Sequence, residues 1–279
     1  MMEKEKVTYV SLEGNEDVHR RYEQALTEVA NDLGKSHPMY IGGREVRTAE
    51  QFEVRSPVDR DILIGMFQKG GEREAREGIA AGKSAALRWE ETGWKKRVGA
   101  IRDAADILER ELYRMAAVMT VEVGKDRTES VAEMGEGIDM LRYYCDVYEH
   151  AEGFEVRMKP GVPGERCTSV LRPHGLWVVI APFNFPFALA AGMTSAALLA
   201  GNTVVFKPTS EAPLTGIGLY RAYERAGIPA GAINCVTGPG GLFGKAVISN
   251  PDVDGISFTG SRAVGMQLFR DFAENQRYP

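Results

Sequence analysis

The most specific chemical signal in this 279-residue sequence is an asparagine between two aromatic residues and two prolines, in the run Pro182-Phe183-Asn184-Phe185-Pro186. The run follows a short apolar segment that is typical of a buried strand, so the Asn184 amide would lie at a strand end. A neutral amide donor at such an edge suits the stabilisation of a developing oxyanion. The alternative is that Asn184 caps the following helix, with Pro186 in its first turn.

Two glycine-containing turns further along the chain could hold the phosphates of a nucleotide. The run GPGGLFG, from Gly238 to Gly244, resembles the dinucleotide fingerprint, but its last glycine comes one position late after Gly240. Residues 259–261 open a predicted helix, whose free backbone N–H groups and positive dipole end favour an anion. Each turn also has a purely structural interpretation, as a tight strand-to-helix turn or as an N-cap. Their combination on one sheet favours nucleotide binding.

A lysine ends the next apolar segment, in Lys207-Pro208-Thr209-Ser210. Strand ends on one side of a parallel sheet face the same ligand-binding edge, so Lys207 could contact a ribose or a phosphate. A single lysine at a strand end is equally compatible with simple solvation of its ammonium group. The residues alone leave both interpretations open.

Four predicted strands, separated by predicted helices, place these motifs. The strands are expected at 177–181, 204–207, 233–236 and 255–258, and the helices at 187–200, at 213–225, up to 249 and after 261. The strand starts are about 22 to 30 residues apart, the length of a right-handed strand–helix–strand crossover. The predicted fold class is therefore α/β, a doubly wound parallel sheet that binds its ligand beyond the carboxyl ends of the strands.

The rest of the chain suggests two further parts. Residues 1–150 are predicted to form an N-terminal helical part that packs on the nucleotide-binding domain at 175–279. Its helices are expected at 17–33, 72–91, 95–118 and 128–150, with short strands at 39–43 and 52–56. Residues 151–174 contain three prolines and are predicted to form a hairpin that leaves the body of the protein, either a surface excursion or an oligomer contact.

Composition excludes several classes of function. The chain carries 34 lysines and arginines against 39 aspartates and glutamates, a net charge of −5, so neither nucleic acid nor an anionic membrane surface is expected as a partner. Three scattered cysteines give neither a disulfide framework nor a Cys-x-x-Cys zinc motif, which fits a reducing, cytoplasmic setting. No metal site is predicted. The charged start, Met1 to Lys6, argues against a secretory signal.

One uncharged segment, residues 175–206, is long enough to suggest a membrane-spanning helix. Pro182, Asn184 and Pro186 would interrupt such a helix near its start, and Gly201 would end it again. We therefore predict a strand, a helix and a second strand within the sheet, and no membrane span.

Taken in order, these motifs resemble the aldehyde dehydrogenase superfamily, and the resemblance covers about residues 38–279. The matching runs are Tyr40-Ile41-Gly42-Gly43, Trp89, Val121-Glu122-Val123-Gly124-Lys125, Pro182-Phe183-Asn184-Phe185-Pro186, Gly201-Asn202-Thr203-Val204-Val205-Phe206-Lys207-Pro208, Gly227-Ile228-Pro229 with Gly231, Gly238-x-Gly240-x-x-x-Gly244 and Phe258-Thr259-Gly260-Ser261. Glu136-Gly137-Ile138-Asp139 with Arg142-Tyr143-Tyr144 is most similar to the 1-pyrroline-5-carboxylate dehydrogenase branch. That branch oxidises glutamate semialdehyde to glutamate with NAD.

The resemblance implies roles for individual residues. Asn184 would supply the oxyanion-hole amide, and Lys207 would lie near the adenosine ribose. The implied cofactor contacts are Ile180, Ala181, Pro182, Phe183, Lys207, Ser210, Gly240, Gly244, Phe258, Gly260, Ser261 and Val264. Many NAD-using members place a glutamate three residues after the lysine, but Ser210 stands there in this chain and Glu211 follows. The resemblance therefore implies NAD as cofactor and leaves NADP open.

The resemblance also implies catalytic residues that this sequence lacks. The family uses a nucleophilic cysteine and a glutamate in a Glu-x-Gly-Gly segment, whereas Cys145, Cys167 and Cys235 lie in other contexts and no such segment occurs. We therefore expect the cofactor-binding half of a truncated or split enzyme, inactive alone, that acts on a small-molecule aldehyde. It would be a homo-oligomer or would join a second chain carrying the catalytic half. The alternative is a non-catalytic dinucleotide-binding or interaction module.

Overall fold

The computed structural model describes residues 15–275. The charged start at 1–14, on which the argument against a secretory signal rests, and residues 276–279 lie outside the described residues. The strands are, in chain order, β1 (Lys35–His37), β2 (Met39–Ile41), β3 (Arg44–Val46), β4 (Gln51–Arg55), β5 (Leu63–Gln68), β6 (Glu155–Met158), β7 (Cys167–Val170), β8 (Leu176–Ile180), β9 (Thr203–Lys207), β10 (Ile233–Cys235) and β11 (Gly255–Phe258). The helices are α1 (Glu16–Asp32), α2 (Glu72–Glu91), α3 (Trp94–Arg110), α4 (Leu112–Val123), α5 (Arg127–His150), α6 (Ala188–Leu199), α7 (Pro213–Arg225), α8 (Gly240–Ile248) and α9 (Arg262–Asn275), with a 3-10 turn at Glu152–Phe154.

A six-stranded sheet of order β11-β8-β9-β10-β2-β3 forms the centre of the fold. The first four strands are parallel, as the strand–helix spacing predicts, and each predicted strand is confirmed to within a residue at either end. The N-terminal strands β2 and β3 extend this sheet in the antiparallel direction. The predicted doubly wound α/β sheet is therefore confirmed, with an antiparallel edge supplied by distant sequence.

Alternate side chains of the central strands enter two separate cores. Val179, Val204 and Phe206 pack on one face against the cluster formed with α1 and α3 to α7. Val178 and Val205 pack on the other face with α2 and α8. Because both faces are covered, the strands carry apolar side chains on both faces, and β9 is buried at every residue, including its polar ends Thr203 and Lys207.

The predicted N-terminal helices are confirmed with one correction. The helix expected at 95–118 is two helices, α3 and α4, separated at Glu111. The amphipathic pattern continues through this break because both helices present buried faces to the same core, so periodicity alone does not reveal it. The helix expected at 72–91 is confirmed at both ends.

A second, three-stranded sheet of order β1-β5-β4 contains strands that the sequence pattern does not predict. The three residues of β1 are Lys-Ser-His, without an apolar side chain, and they are extended because they pair in parallel with β5. In β5, Ile64 and Phe67 are fully buried in the core. Long-range pairing, rather than local propensity, therefore determines β1.

The segment at 151–174 forms the predicted hairpin. Strands β6 and β7 pair only with each other, with Val156 opposite Ser169 and Met158 opposite Cys167. Val156 and Met158 lie on one face of the hairpin and are more than half exposed. The hairpin thus presents apolar side chains to solvent.

The uncharged segment at 175–206 holds β8, α6 and β9, as predicted. Its helix, α6, has 12 residues, too few for a bilayer. Between residues 15 and 275, no helix combines the length and the apolar character that crossing a membrane requires.

Candidate functional site

The carboxyl ends of the four parallel strands meet at one edge of the sheet. Ile180 at the end of β8 is level with Lys207 on β9 and with Phe258 on β11. Cys235, the last residue of β10, is level with Phe206. The loops that carry the predicted site residues therefore leave the sheet side by side, and Ala181 continues the contact by donating its N–H to the Lys207 carbonyl at 3.3 Å.

Lys207 is a buried cation at this edge. Its side chain is almost fully enclosed, and its Nζ donates to the carbonyl oxygen of Pro208 at 3.0 Å. Burial lowers the pKa of Lys207 to about 8, because the charged form loses its hydration. The interpretation of Lys207 as a solvated strand end is therefore wrong, and its ammonium has unused donors in the described structure.

Gly240, Gly241 and Gly244 of the GPGGLFG run lie in the first turns of α8, and Gly240 is next to Lys207. A Cβ added at Gly240 would meet nothing closer than the Lys207 Cε at 3.9 Å, and one added at Gly241 or Gly244 would meet nothing within 4 Å. Glycine destabilises a helix by about 1 kcal/mol relative to alanine, so packing gives no reason for glycine here. Among residues 15–275 no side chain caps α8, so its first N–H groups are available to an anion.

Ser261 is the N-cap of α9. Its Oγ accepts from the Val264 N–H at 3.3 Å, as the structural interpretation of this turn predicts. Gly260 makes room for the Phe258 ring, since a Cβ at Gly260 would lie 2.6 Å from that ring. Gly260, Ser261 and Val264 are all exposed. The start of α9 is thus open to a ligand but already has a side-chain cap, whereas the start of α8 has none.

Ser210 ties the loop after β9 to the turn before α8. Its Oγ donates to the carbonyl of Gly238 at 3.0 Å. Glu211 is exposed, and its carboxylate accepts a hydrogen bond from the Thr209 hydroxyl. The acidic group thus lies one residue past Ser210 on the surface of the loop, an arrangement that does not by itself discriminate NAD from NADP.

Asn184 lies in the loop after β8 and is exposed. Within the described residues its side chain has no hydrogen-bond partner, and α6 begins at Ala188, four residues later. Ala181 and Pro182 are buried beneath the loop, while Phe183 is 59% exposed. The interpretation of Asn184 as a helix cap is wrong, because the carboxylate of Glu133 caps α6 instead.

Two buried glutamates to which the sequence motifs assigned no role hold the helices behind the site. Glu133, on α5, accepts from the N–H groups that start α6. Glu122, the only acidic residue of α4, accepts from the N–H groups of Leu214 and Thr215 at the start of α7 and from the Thr215 hydroxyl. Burial raises the pKa of Glu122 to about 7. A lone acid in an apolar helix is the sequence signal that could have identified Glu122.

All three cysteines are free thiols. Cys145 lies in α5 and Cys167 in β7, away from the strand ends that carry the site, whereas Cys235 is the last residue of β10. Burial raises the pKa of Cys145 to about 12 and that of Cys235 to about 12. Cys167 lies in the hairpin. Neither buried thiol is a thiolate near neutral pH, so neither can act as a nucleophile there. Between residues 15 and 275, no cluster of three or more potential metal ligands occurs.

The profile of the aldehyde dehydrogenase family matches residues 44–278 of this chain, which include all the strand-end loops described above. The chain belongs to the aldehyde dehydrogenase family. Within this family, the 1-pyrroline-5-carboxylate dehydrogenase of Bacillus pumilus is 35% identical over 94% of this chain and 50% of that protein. The protein of the same name from Geobacillus sp. is 34% identical over 97% of this chain and 52% of that protein. The chain spans about half the length of the curated relatives it matches.

Solved aldehyde dehydrogenase structures have the same fold as this chain. The 1-pyrroline-5-carboxylate dehydrogenase from Thermus with bound NAD aligns with a TM-score of 0.88 at 31% identity, over 93% of this chain and 50% of that chain. Proline utilization A from Bdellovibrio bacteriovorus aligns with a TM-score of 0.88 at 31% identity, over 92% of this chain and 26% of that chain. The aldehyde dehydrogenase type of fold and the similarity to the 1-pyrroline-5-carboxylate dehydrogenase branch are confirmed.

Proposed function

We propose that the chain is the dinucleotide-binding half of an NAD(P)-dependent enzyme that oxidises glutamate semialdehyde or 1-pyrroline-5-carboxylate to glutamate. The observation that carries the proposal is Lys207, a buried ammonium with one hydrogen bond to its own neighbour, beneath the exposed glycines of α8. A buried cation is costly without acceptors, and the hydroxyl or phosphate oxygens of a dinucleotide would supply them. The substrate class in this proposal is taken from the names of the relatives that are 35% and 34% identical to this chain.

The residues at the sheet edge offer hydrogen-bond donors that suit a dinucleotide. The uncapped start of α8 and the open surface at Gly240 and Gly244 would take the pyrophosphate. Lys207 and Ser210 would contact the adenosine ribose, and the end of β11 with the start of α9 would close the other side. The remaining contacts of this proposed site are Ile180, Ala181, Pro182, Phe183, Phe258, Gly260, Ser261 and Val264.

Asn184 would act on the aldehyde rather than on the cofactor. Bound NAD(P) supplies the acceptor for the hydride that leaves the substrate carbon. The Asn184 side-chain amide would donate to the aldehyde oxygen as negative charge develops there, a contribution of about 3 to 4 kcal/mol at comparable sites. Its exposed position and its lack of a partner in the described structure leave the amide free for this contact.

Calorimetry tests the proposed dinucleotide site. We expect NAD and ADP-ribose to bind with similar affinity, because every assigned residue contacts the part that the two ligands share. Gly244→Ala should weaken both ligands by obstructing the close approach, while stabilising α8 by about 0.5 to 1 kcal/mol. Gly99→Ala is the matched control, since Gly99 is an exposed helical glycine on α3 with nothing within 4 Å of an added Cβ.

The control should gain the same stability without loss of affinity. No heat with either ligand at millimolar concentration would refute the dinucleotide site. Unchanged affinity in Gly244→Ala would refute the assignment of α8 as the pyrophosphate contact.

The exposed hairpin leads us to propose that the chain associates, with itself or with a chain carrying the catalytic half. Val156 and Met158 are exposed side by side on β6, whose outer edge is unpaired in the described structure. Sedimentation velocity at micromolar concentration should show oligomers that Val156→Lys with Met158→Lys disrupts. Val58→Lys, at an exposed turn position, is the control.

The same measurement separates the enzyme from the second candidate function, a non-catalytic dinucleotide-binding module. Such a module has no need of a partner that completes the active site. A clean monomer, unchanged when a polypeptide with the catalytic half is added, would contradict the predicted association and favour the module.

A further inference from the structure

We propose that Lys125 and Glu133 are positioning residues that fix the loop 182–186, here called the Asn184 loop, from behind. The inference rests on the proposed function only for the chemical role of Asn184. The contacts themselves lie where α4 meets α5. Lys125 ends the family-like run Val121-Glu122-Val123-Gly124-Lys125, to which no role was assigned, and Glu133 belongs to none of the matching runs. Together the two residues hold the segment that follows Asn184, from Phe185 to Ala188.

Glu133 anchors the carboxyl side of the loop. Its side chain is fully buried, and its Oε1 accepts from the backbone N–H of Phe187 at 2.8 Å and of Ala188 at 3.0 Å. These N–H groups start α6, which has no side-chain cap of its own. A carboxylate at the positive end of a helix gains from the helix dipole as well as from the two hydrogen bonds.

Lys125 joins that anchor to the loop itself. Its Nζ forms a salt bridge with the Glu133 carboxylate, and the same Nζ lies 3.7 Å from the centroid of the Phe185 ring. Phe185 is the residue next to Asn184, so one ammonium connects the carboxylate behind α6 with the aromatic residue beside the amide. Both charged groups are shielded from solvent, with 10% of the Lys125 side chain exposed. Salt screens such contacts weakly, and a desolvated cation–π contact is stronger than an exposed one.

Close packing makes the anchor rigid. Helix α5 approaches α6 through Gly137, where any added Cβ would collide with the Phe187 ring and lie 3.2 Å from the Ala188 Cα. The start of α5 is fixed in turn by Asp126, whose carboxylate accepts from the Glu129 N–H at 2.9 Å. Lys125 and Glu133 therefore stand on a fixed support, not on a mobile surface.

Positioning matters here because Asn184 makes no hydrogen bond of its own within the described residues. The direction of its amide depends on the backbone around it, and a misplacement of about 1 Å at a reacting centre costs on the order of 100-fold in rate. Glu122 makes an equivalent cap on α7, but in the part of the chain that the structure describes neither a lysine nor an aromatic residue joins it to a loop. Glu122 thus provides an internal comparison for a cap that only supports a helix.

The test reads the Asn184 amide directly, without ligand. The 279-residue chain contains seven asparagines, so selective ¹⁵N-asparagine labelling gives a sparse set of side-chain amide signals, and Asn184→Ala identifies the pair from Asn184. The variants are Glu133→Gln, Lys125→Met and Phe185→Leu, with Glu122→Gln as the control. Hydrogen exchange of the Phe187 and Ala188 amides reports the helix cap in the same samples.

We expect all three loop variants to shift or broaden the Asn184 amide pair, and Glu122→Gln to leave it unchanged. Exchange at Phe187 and Ala188 should rise about tenfold in Glu133→Gln, because each amide loses its charge-assisted hydrogen bond to the carboxylate. Exchange at both amides should stay unchanged in Phe185→Leu. Faster exchange in Glu133→Gln with an unmoved Asn184 pair in every variant would reduce Glu133 to a helix cap and overturn the proposal.

Two features of the experiment distinguish failure of this proposal from unfolding of a variant and from failure of the proposed function. If a single variant unfolds because it leaves one buried charge unpaired, the double variant Lys125→Met with Glu133→Gln removes both charges and still breaks the link to Phe185. A failure of dinucleotide binding would refute the proposed function and leave the ligand-free signals of Asn184 unaffected.

Discussion

The purified 279-residue chain is expected to form no NADH from glutamate semialdehyde. Aldehyde oxidation in this family needs a thiolate that attacks the carbonyl carbon. Burial raises the pKa of Cys145 and of Cys235 to about 12, so both remain protonated near neutral pH. Cys167 lies in the hairpin, away from the strand ends. An oxyanion donor and a cofactor site cannot replace a nucleophile.

The measurement is the absorbance of NADH with saturating substrate and NAD. Turnover in the typical range of about 1 to 1000 per second would contradict the prediction and would require a nucleophile that we have not identified. Addition of a polypeptide that carries a reactive cysteine and a Glu-x-Gly-Gly segment should restore activity if the chain is half of a split enzyme. Replacement of Asn184 by alanine should then abolish most of the restored activity.

Lys207→Met is expected to weaken NAD binding by about 1.5 to 3 kcal/mol, the value of a charge-assisted hydrogen bond, without loss of stability. Methionine is unbranched like the lysine stem, and it leaves no buried charge to solvate. Reduced affinity in a variant that is as stable as the parent chain cannot be attributed to unfolding. Lys96→Met, at an exposed position on α3, is the control.

The pH dependence gives a second test of Lys207. Because the pKa of Lys207 is lowered to about 8, the ammonium is lost above that pH, and the dissociation constant for NAD should rise about tenfold for each further unit. Its contribution to stability has the opposite sign: between pH 8 and the ordinary pKa of 10.5 the native state binds fewer protons than the unfolded chain, so stability rises. An affinity for NAD that does not change between pH 7 and 10 would contradict a contact between the Lys207 ammonium and the cofactor.

The parallel strands of the central sheet were predictable because local pattern and tertiary environment agree there. A strand buried on both faces is largely apolar, and β8 and β9 are bounded by prolines and glycines. Asn184 follows β8, Lys207 ends β9 and Gly240 follows β10, so their placement at one edge follows from the parallel order. The resemblance to aldehyde dehydrogenases added roles to residues whose position was already determined.

Other features depend on contacts that sequence patterns do not encode. Glu133 caps a helix 54 residues away, and nothing around it in the sequence identifies its partner. Strand β1 contains no apolar residue and is extended only because β5 lies beside it. The surroundings of Lys207 likewise include Gly240 of α8, about 30 residues later in the chain, where an added Cβ would lie 3.9 Å from the Lys207 Cε.

The antiparallel edge of the central sheet has a consequence for biosynthesis. All three residues of β2 are buried, yet β2 pairs with β10, and the Gly42 N–H bonds to the Asn234 side chain, 192 residues further on. At a synthesis rate of about 5 to 20 residues per second, roughly 10 to 40 s separate the two on the ribosome. A two-stranded ribbon is marginal in water. Until β10 has been synthesised, β2 and β3 therefore lack their final partner, and the apolar side chains of β2 are exposed on the nascent chain. Protection by a chaperone during that interval, rather than final stability, would then limit the yield of folded protein.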